Sequence, residues 1–328
     1  MISSATLGAW VADPCAVRST LDSMERFARA TSEYPAIAEL GALLPEAESQ
    51  GADAVLALAA RFLRDGASIA AILRAAVDAS RQDPFFRPPF RASTSEVHKG
   101  LILFTRPSLS IQLAVLSAEA LAAKRMFRSG ASSIIFTGQR GLYHFVEPKG
   151  AIVSLWRAPP TLPSFTLGAA GPCTLIERRP LRDGETLEVD GARMSFIIDH
   201  APCDLVYLQA HTPLDAAPLS VEYDSATRRV VGTASTDDAG SRTQMMLALL
   251  RLQDRKDAAP LFEKAARGEH FHARWQAMRE FLALDAEAAL PHLRHMARAD
   301  DHPEVRAAAR LALSDLFEPA GGAEPCLA

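Results

Sequence analysis

The sequence predicts an α+β protein in which N-terminal helices precede a central antiparallel β-sandwich or barrel and a C-terminal array of helical repeats. Three observations predict this fold class. Apolar residues recur at helical spacing through residues 14–80. From Val97 to Ser235, about ten short runs of β-forming residues are separated by turn signals. Beyond residue 240, arginines recur at a constant interval, which is typical of repeated helical units.

Length and composition limit the classes of protein and of partner. A chain of 328 residues is long for one domain and predicts two or three. With 48% apolar and 23% charged residues, it can bury a sizeable core and should not be disordered. The net charge of −4 does not favour nucleic acid or a membrane surface as a partner.

The cysteines and the N-terminal segment indicate a cytoplasmic protein. Cys15, Cys173, Cys203 and Cys326 form no CxxC pair and match no zinc module, so we expect free thiols in a reducing compartment. The first residues carry no Lys or Arg before Arg18 and no long apolar run, unlike a secretory signal. The apolar runs also fall short of the roughly 20 residues that span a bilayer.

Residues 1–82 are expected to form an N-terminal helical segment, with a small bundle of three or four helices over residues 14–80. Asp13 and Pro14 provide a helix start, because Pro is tolerated in the first turn. Breaks are predicted at Tyr34-Pro35 and again between Pro45 and Gly51. In the stretch that follows, three prolines exclude a helix and predict a linker whose phenylalanines pack against a neighbouring domain.

Residues 97–236 are predicted to form a β domain. Its short strands follow one another without intervening helices, apart from one possible helix at Ala118 to Phe127. Asp183-Gly184 and Asp190-Gly191 are tight-turn signals on either side of a strand. This pattern indicates antiparallel pairing rather than parallel strands joined by helical crossovers.

Residues 241–317 are predicted to form helical hairpins, followed by a flexible tail at 318–328. Arg242, Arg274 and Arg306 lie 32 residues apart, and each repeat would contain a helix A, a turn and a helix B. The predicted A helices are 258–267 and 286–297, and the predicted B helices are 242–252, 274–284 and 304–316. We expect the leading helix to be buried on both sides, and the repeated arginines to set the stacking by pairing with acids or carbonyls.

The last unit resembles the HEAT-repeat family. The residues that carry the resemblance are Asp300, Val305, Arg306, Ala309, Ala312 and Leu313. The unit length of about 30 residues is similar to the short, phycobilisome-lyase-type branch of that family. The resemblance implies a curved stack used for contacts with another protein, and it implies nothing about catalysis.

The β region resembles cupin-like domains at one segment. Between Gly141 and Gly150, His144 precedes Glu147 by three residues, which is similar to the first metal motif of cupins. Leu142 occupies the place of an expected histidine, and no second motif is found near His200 or His211. A divalent metal needs three or four ligands. His144 and Glu147 are therefore the candidate metal ligands, and the competing interpretation is that His144 is an ordinary strand histidine.

A second set of histidines lies in the repeats. His292 and His295 share one helical face and could bind a metal together with His270 or His272. No acidic residue stands at ligand spacing on the same helix, which favours a solvated polar face instead.

Two function classes remain open from the sequence. The leading hypothesis is a non-catalytic protein-interaction or regulatory protein that needs no cofactor, with a small ligand inside the β domain. The alternative is a cupin-type metal-dependent enzyme, an oxygenase or isomerase, with one divalent transition metal as cofactor. The sequence contains no Walker loop, dinucleotide fingerprint or nucleophile elbow. It names no catalytic residue, substrate or oligomeric state.

Overall fold

A computed structural model describes residues 3–127, 132–159, 166 and 170–317 of the protein. The chain divides into two compact units. The first comprises residues 1–158, 173–216 and 222–228, and the second comprises residues 159–172, 217–221 and 229–328.

The N-terminal part is helical, and four helices cover residues 14–82, in agreement with the three or four predicted for residues 14–80, with one further helix before them. They are α1 (Ser4–Val11), α2 (Pro14–Ser32), α3 (Pro35–Gln50), α4 (Ala52–Arg64) and α5 (Gly66–Gln82). Asp13 caps α2 by accepting hydrogen bonds from the amides of Cys15 and Ala16. Asp65 caps α5 in the same way through the amide of Ser68.

The break predicted between Pro45 and Gly51 lies at Gly51, where α3 ends and α4 follows, whereas α3 continues through Pro45. Pro45 removes one helical hydrogen bond, which alone would favour a break. Leu40, Leu44 and Ala47 are buried on either side of it and pack in the same core as α4. Burial of this apolar face outweighs the lost bond. The linker phenylalanines pack as predicted, since Phe86 is buried and its ring meets Phe27 edge to face at 5.3 Å.

Twelve strands are found in the part of the chain that the structure describes. They are β1 (Arg91–Thr94), β2 (His98–Arg106), β3 (Leu109–Leu116), β4 (Ser133–Phe136), β5 (Arg140–Phe145), β6 (Ile152–Arg157), β7 (Thr174–Pro180), β8 (Thr186–Asp190), β9 (Met194–His200), β10 (Leu205–Thr212), β11 (Leu219–Asp224) and β12 (Val230–Ser235). A single helix interrupts them, α6 (Ala118–Phe127), at the predicted place.

The strands form three sheets. A six-stranded sheet has the order β1-β2-β3-β10-β5-β8, and two three-stranded sheets have the orders β7-β6-β9 and β12-β11-β4. Every strand pair with a described register is antiparallel. The predicted fold class is therefore confirmed.

The six-stranded sheet buries both of its faces. One face packs against α3 and α4, with Leu142, Leu208 and Ala210 in that core. The opposite face packs against the β7-β6-β9 sheet, and residues such as Phe145, Val153 and Ile198 form a second core there. Strands buried on two sides explain why their apolar runs are nearly continuous in the sequence.

The C-terminal helices follow the predicted repeat closely. They are α7 (Asp238–Leu252), α8 (Ala259–Ala265), α9 (Phe271–Leu284), α10 (Ala286–Ala299) and α11 (Pro303–Phe317). Their shared core includes Phe262, Phe281 and Leu293, all fully buried. The predicted tail at 318–328 lies outside the described residues.

The repeated arginines have the predicted packing role in two of the three units. Arg274 forms a two-point pair with the carboxylate of Asp300, at 2.8 and 2.7 Å, and donates to the carbonyls of Gly268 and Glu269. Arg306 donates to the carbonyls of Asp300 and Asp301. At the position that would match Asp300 for Arg242, 26 residues further on, the chain has Gly268 and not an acid.

The prediction that α7 is buried on both sides is wrong. Leu247 is buried and α7 packs along α9, but other apolar side chains of α7 are exposed. The exposed ones are Met245, Met246, Leu249 and Leu252, at 65, 57, 46 and 72%. The helix is apolar around most of its surface, whereas its packing partners cover only part of it.

Candidate ligand cavity in the β domain

A cavity of about 470 Å³ lies inside the β domain. It is lined by the inward face of the six-stranded sheet, by β4, by β9 and by α6. The apolar lining residues include Leu116, Leu121, Ile135, Phe145, Val189, Met194, Phe196 and Ile198, and the polar ones include His98, Lys124, Arg125, Tyr143, Ser195, Tyr207 and Gln209. A mostly apolar cavity of this size with a few polar groups is typical of a small-molecule site.

Strand alternation decides which side chains enter this cavity. Along β10, Tyr207 and Gln209 line it, while Leu208 and Ala210 face the N-terminal helices. On β5, Tyr143 pairs with Gln209 and Phe145 pairs with Tyr207, so the two strands present adjacent rows to the cavity. His144 pairs with Leu208 and therefore belongs to the opposite face.

Four aromatic rings line the cavity, three from the six-stranded sheet and Phe196 from β9. The Tyr143 and Phe196 rings meet edge to face at 4.6 Å, and the Phe145 and Tyr207 rings are tilted at 5.6 Å. Burial raises the pKa of both tyrosines, which keeps their hydroxyls protonated as donors. Among the described residues, neither hydroxyl has a hydrogen-bond partner, so both can serve a ligand.

A row of hydrogen-bonded polar side chains crosses the sheet beside the tyrosines. The Gln209 amide donates to Gln112 Oε1 at 3.0 Å, and the Gln112 amide donates to Ser93. Gln112 lies over Gly100, where an added Cβ would come 2.0 Å from Gln112 Nε2. The glycine thus leaves room for the polar row.

Two histidines lie on the inward side of the sheet. Burial lowers the pKa of His211 to about 4. The pKa of His98 is also lowered, mainly by burial and to a smaller extent by the positive charge of Lys124. His98 is level with Leu205 across the sheet, six residues along β10 from His211, which is roughly 20 Å. At that separation the two imidazoles cannot share one metal ion.

Two cationic side chains of α6 reach the edge of the cavity. Lys124 pairs with Glu96 at 2.8 Å. Arg125 Nη2 donates to the Ile198 carbonyl at 3.1 Å and to Asp199 Oδ1 at 3.2 Å. The Arg125 contacts attach α6 to β9, and the Lys124 contact attaches it to the connection between β1 and β2.

The structure places the two predicted metal ligands apart from the cavity. His144 Nδ1 lies 2.9 Å from Thr186 Oγ1, and its pKa is lowered by burial and by the nearby charge of Arg64 on α4. Glu147 is exposed and lies 3.6 Å from Lys149. Within the described part of the chain, no three His, Cys, Asp or Glu side chains are grouped as a metal site requires.

The helical histidines occupy two different places. His292 and His295 line a groove that also contains Glu263 and Arg267, with His292 Nε2 at 3.3 Å from Glu263. His270 and His272 stack on each other at 5.8 Å and do not line that groove. The polar-face interpretation of His292 and His295 agrees with these contacts.

The cavity residues were not recognisable from the sequence as a site. A weak signal exists in β10, where Tyr207, Gln209 and His211 alternate with apolar residues in a strand that is otherwise buried. Polar residues at alternate positions of a buried strand indicate an inward polar face. The sequence does not say which other strand supplies the opposing row.

A comparison with curated protein sequences found no match. No helix of the described residues is both long and apolar enough to cross a membrane.

Solved structures show only slight likeness to this chain. It is similar to ectoine synthase from P. lautus (11% identity, TM-score 0.24, covering 38% of this chain and 69% of that one). It is also similar to KdgF from Halomonas sp. (14% identity, TM-score 0.23, covering 38% of this chain and 86% of that one). A third similar structure is hydroxypropylphosphonic acid epoxidase from S. wedmorenis (11% identity, TM-score 0.25, covering 38% of this chain and 55% of that one). Likenesses of this degree carry no argument about the present chain.

The family comparison is more informative. Residues 233–314, which are 82 of the 328 residues, match the family model for HEAT repeats. This match covers α7 to most of α11 and confirms the HEAT-like resemblance of the C-terminal region.

Proposed function

We propose that the protein is a non-catalytic binding protein whose β domain holds a small, mainly apolar ligand and whose helical repeats contact another protein. The cavity carries the proposal. Its wall is aromatic, it has two phenol hydroxyls available as donors, and its volume suits a small organic molecule. HEAT repeats are generally protein-interaction modules, which supports the second half of the proposal.

The ligand half is tested by binding of a neutral aromatic probe. We expect 2-naphthylmethanol to bind the full chain at one molecule per chain in isothermal titration calorimetry. Ile135 lines the cavity and is 51% exposed, so Ile135→Trp should block entry and weaken binding. Ile176, an isoleucine 44% exposed on β7, does not line the cavity. Ile176→Trp is the matched control, and equal loss in both variants would contradict a cavity site.

The protein-contact half concerns the exposed apolar face of α7. Contiguous exposed apolar side chains mark protein-interaction surfaces, and Met245 and Leu249 are central to this face. A protein captured by the full chain should be lost with Met245→Glu/Leu249→Glu. It should be retained with Leu311→Glu on α11, where the side chain is also exposed. Equal capture by both variants would place the contact elsewhere.

Metal analysis separates this proposal from a metal-dependent enzyme. We expect no stoichiometric transition metal held by His144 and Glu147, because His144 is hydrogen-bonded to Thr186 and Glu147 is exposed beside Lys149. About one metal ion per chain, lost on His144→Ala but not on His200→Ala, would instead favour the oxygenase or isomerase hypothesis.

A further inference from the structure

The charged side chains that line the cavity all have the same sign. Lys124 and Arg125 reach its wall, and among the described residues no Asp or Glu lines it. Burial lowers the pKa of His98, which favours its neutral form. An apolar cavity whose described lining carries positive but no negative side chains favours a ligand with a negative group.

Arg125 has donors to spare. A guanidinium carries five N–H groups, and the acceptors recorded for Arg125 are both reached through Nη2. Its Nε is buried without a partner among the described residues. A carboxylate is the acceptor that matches a guanidinium best, because two parallel hydrogen bonds can form.

The neighbouring acid does not neutralise this arginine fully. Asp199 also accepts hydrogen bonds from Ser154 and, at 2.8 Å, from Arg178 Nε. Burial raises the pKa of Asp199, but the bonds from Ser154, Arg178 and Arg125 outweigh burial and lower it, so the carboxylate is ionised. Among the described side chains, Asp199 is shared by Arg125 and Arg178, so this group of three carries one excess positive charge.

We propose, on the basis of the proposed function, that the cavity binds a small aromatic monocarboxylate. Its carboxylate pairs with Arg125 at the α6 edge, and its ring lies against Tyr143, Phe196 and Tyr207. The hydroxyls of Tyr143 and Tyr207 and the amide of Gln209 can form hydrogen bonds with one neutral polar substituent on the ring. A dianion would bring a second charge into a largely apolar space that has one unneutralised cation, and its desolvation would be costly.

The test compares two probes of similar size on the full chain by isothermal titration calorimetry. We expect 2-naphthoate to bind roughly tenfold or more tightly than neutral 2-naphthylmethanol. Arg125→Met should abolish that preference and leave the affinity for the alcohol nearly unchanged. Arg125→Lys keeps a positive charge and should retain part of the preference.

Arg61→Met is the matched control, because Arg61 is 65% exposed, pairs with Glu39 and does not line the cavity, so this variant should keep the preference for the carboxylate. Arg178→Met should instead weaken the preference, because Asp199 then pairs with Arg125 alone. Raising the salt concentration from about 0.05 to about 0.5 M should weaken 2-naphthoate binding and spare the alcohol. This measurement needs no variant, so it tests the electrostatic recognition of the carboxylate even if Arg125→Met fails to fold.

The outcomes distinguish the inference from the function on which it rests. Equal affinity for the two probes, no effect of salt, or a preference that survives in folded Arg125→Met would overturn the carboxylate inference and leave the ligand-binding function intact. If neither probe binds, the ligand-binding function itself fails.

Discussion

His211 is a largely enclosed histidine on the inward face of β10. Its ring lies edge to face with Tyr143 at 5.3 Å. The backbone at Gly141 makes room for it, since a Cβ there would lie 3.0 Å from His211 Nδ1. Burial lowers its pKa from 6.5 to about 4, so the folded protein holds it neutral in a range where the unfolded chain binds a proton.

This difference predicts an acid-sensitive contribution to stability. Because the unfolded state binds more protons, the free energy of unfolding falls as the pH drops from about 6.5 to about 4, by about 3 kcal/mol for this group. His211→Phe keeps a ring and removes the titration. Its stability, measured by denaturant unfolding at several pH values, should decline less steeply than that of the native chain. Parallel curves would contradict the prediction.

Position 100 requires glycine because the side chain of Gln112 lies directly over it. An added Cβ would lie 2.0 Å from Gln112 Nε2 and 2.9 Å from the backbone carbonyl of Leu113. Gly100→Ala should therefore destabilise the protein by about 1–3 kcal/mol through overpacking. Gly66 at the start of α5 has nothing within 4 Å of its hypothetical Cβ. Gly66→Ala is the control and should be neutral or slightly stabilising in the same unfolding experiment.

At the scale of the elements, α3 shows tertiary packing overriding a local signal. Pro45 predicts a helix end, yet Leu40 and Leu44 are 2 and 3% exposed and keep the helix continuous against α4. Helix propensity is a weak influence compared with burial of an apolar face.

The stacking of the repeats depends on an enclosed ion pair. The Arg274 and Asp300 side chains are 13 and 5% exposed, and Asp300 also accepts the His302 amide at 2.8 Å. Asp300→Ala should cost about 3 kcal/mol, because it leaves a shielded guanidinium without its partner. Arg255→Met, which removes the exposed pair with Asp257, should have no measurable effect. Chemical denaturation of the three proteins tests this, and equal stabilities would show that the pair is dispensable.

At the scale of the whole molecule, α7 belongs to the core of the repeats even though part of it is exposed. Leu247 is 3% exposed and joins the core that contains Met278 and Phe281. A fragment of residues 254–328 lacks this side chain and should be poorly folded. A fragment of residues 229–328 retains it and should melt more cooperatively when followed by circular dichroism. If both fragments melt alike, α7 does not contribute to the stability of the repeats.

The periodicity of the sequence was sufficient to predict the helices and strands and the order of the helical, β and repeat regions along the chain. Helical spacing, β-forming runs and the 32-residue interval of Arg274 and Arg306 each lie within a short window of the chain, where local propensity and patterning act. For that reason the helices of the repeats and the helix at Ala118–Phe127 could be predicted to within a few residues at each end.

Only the tertiary structure decided which side chains share a cavity. β10 lies between β3 and β5, which brings Tyr207 beside Tyr143 although 64 residues separate them in the sequence. A shift of one residue in that register would have turned His144 inward and Tyr143 outward. The sequence by itself determined that strands and helical repeats form. The pairing of distant strands, which depends on burial of both sheet faces, determined that the cavity is aromatic with a cationic edge and that His144 lies outside it.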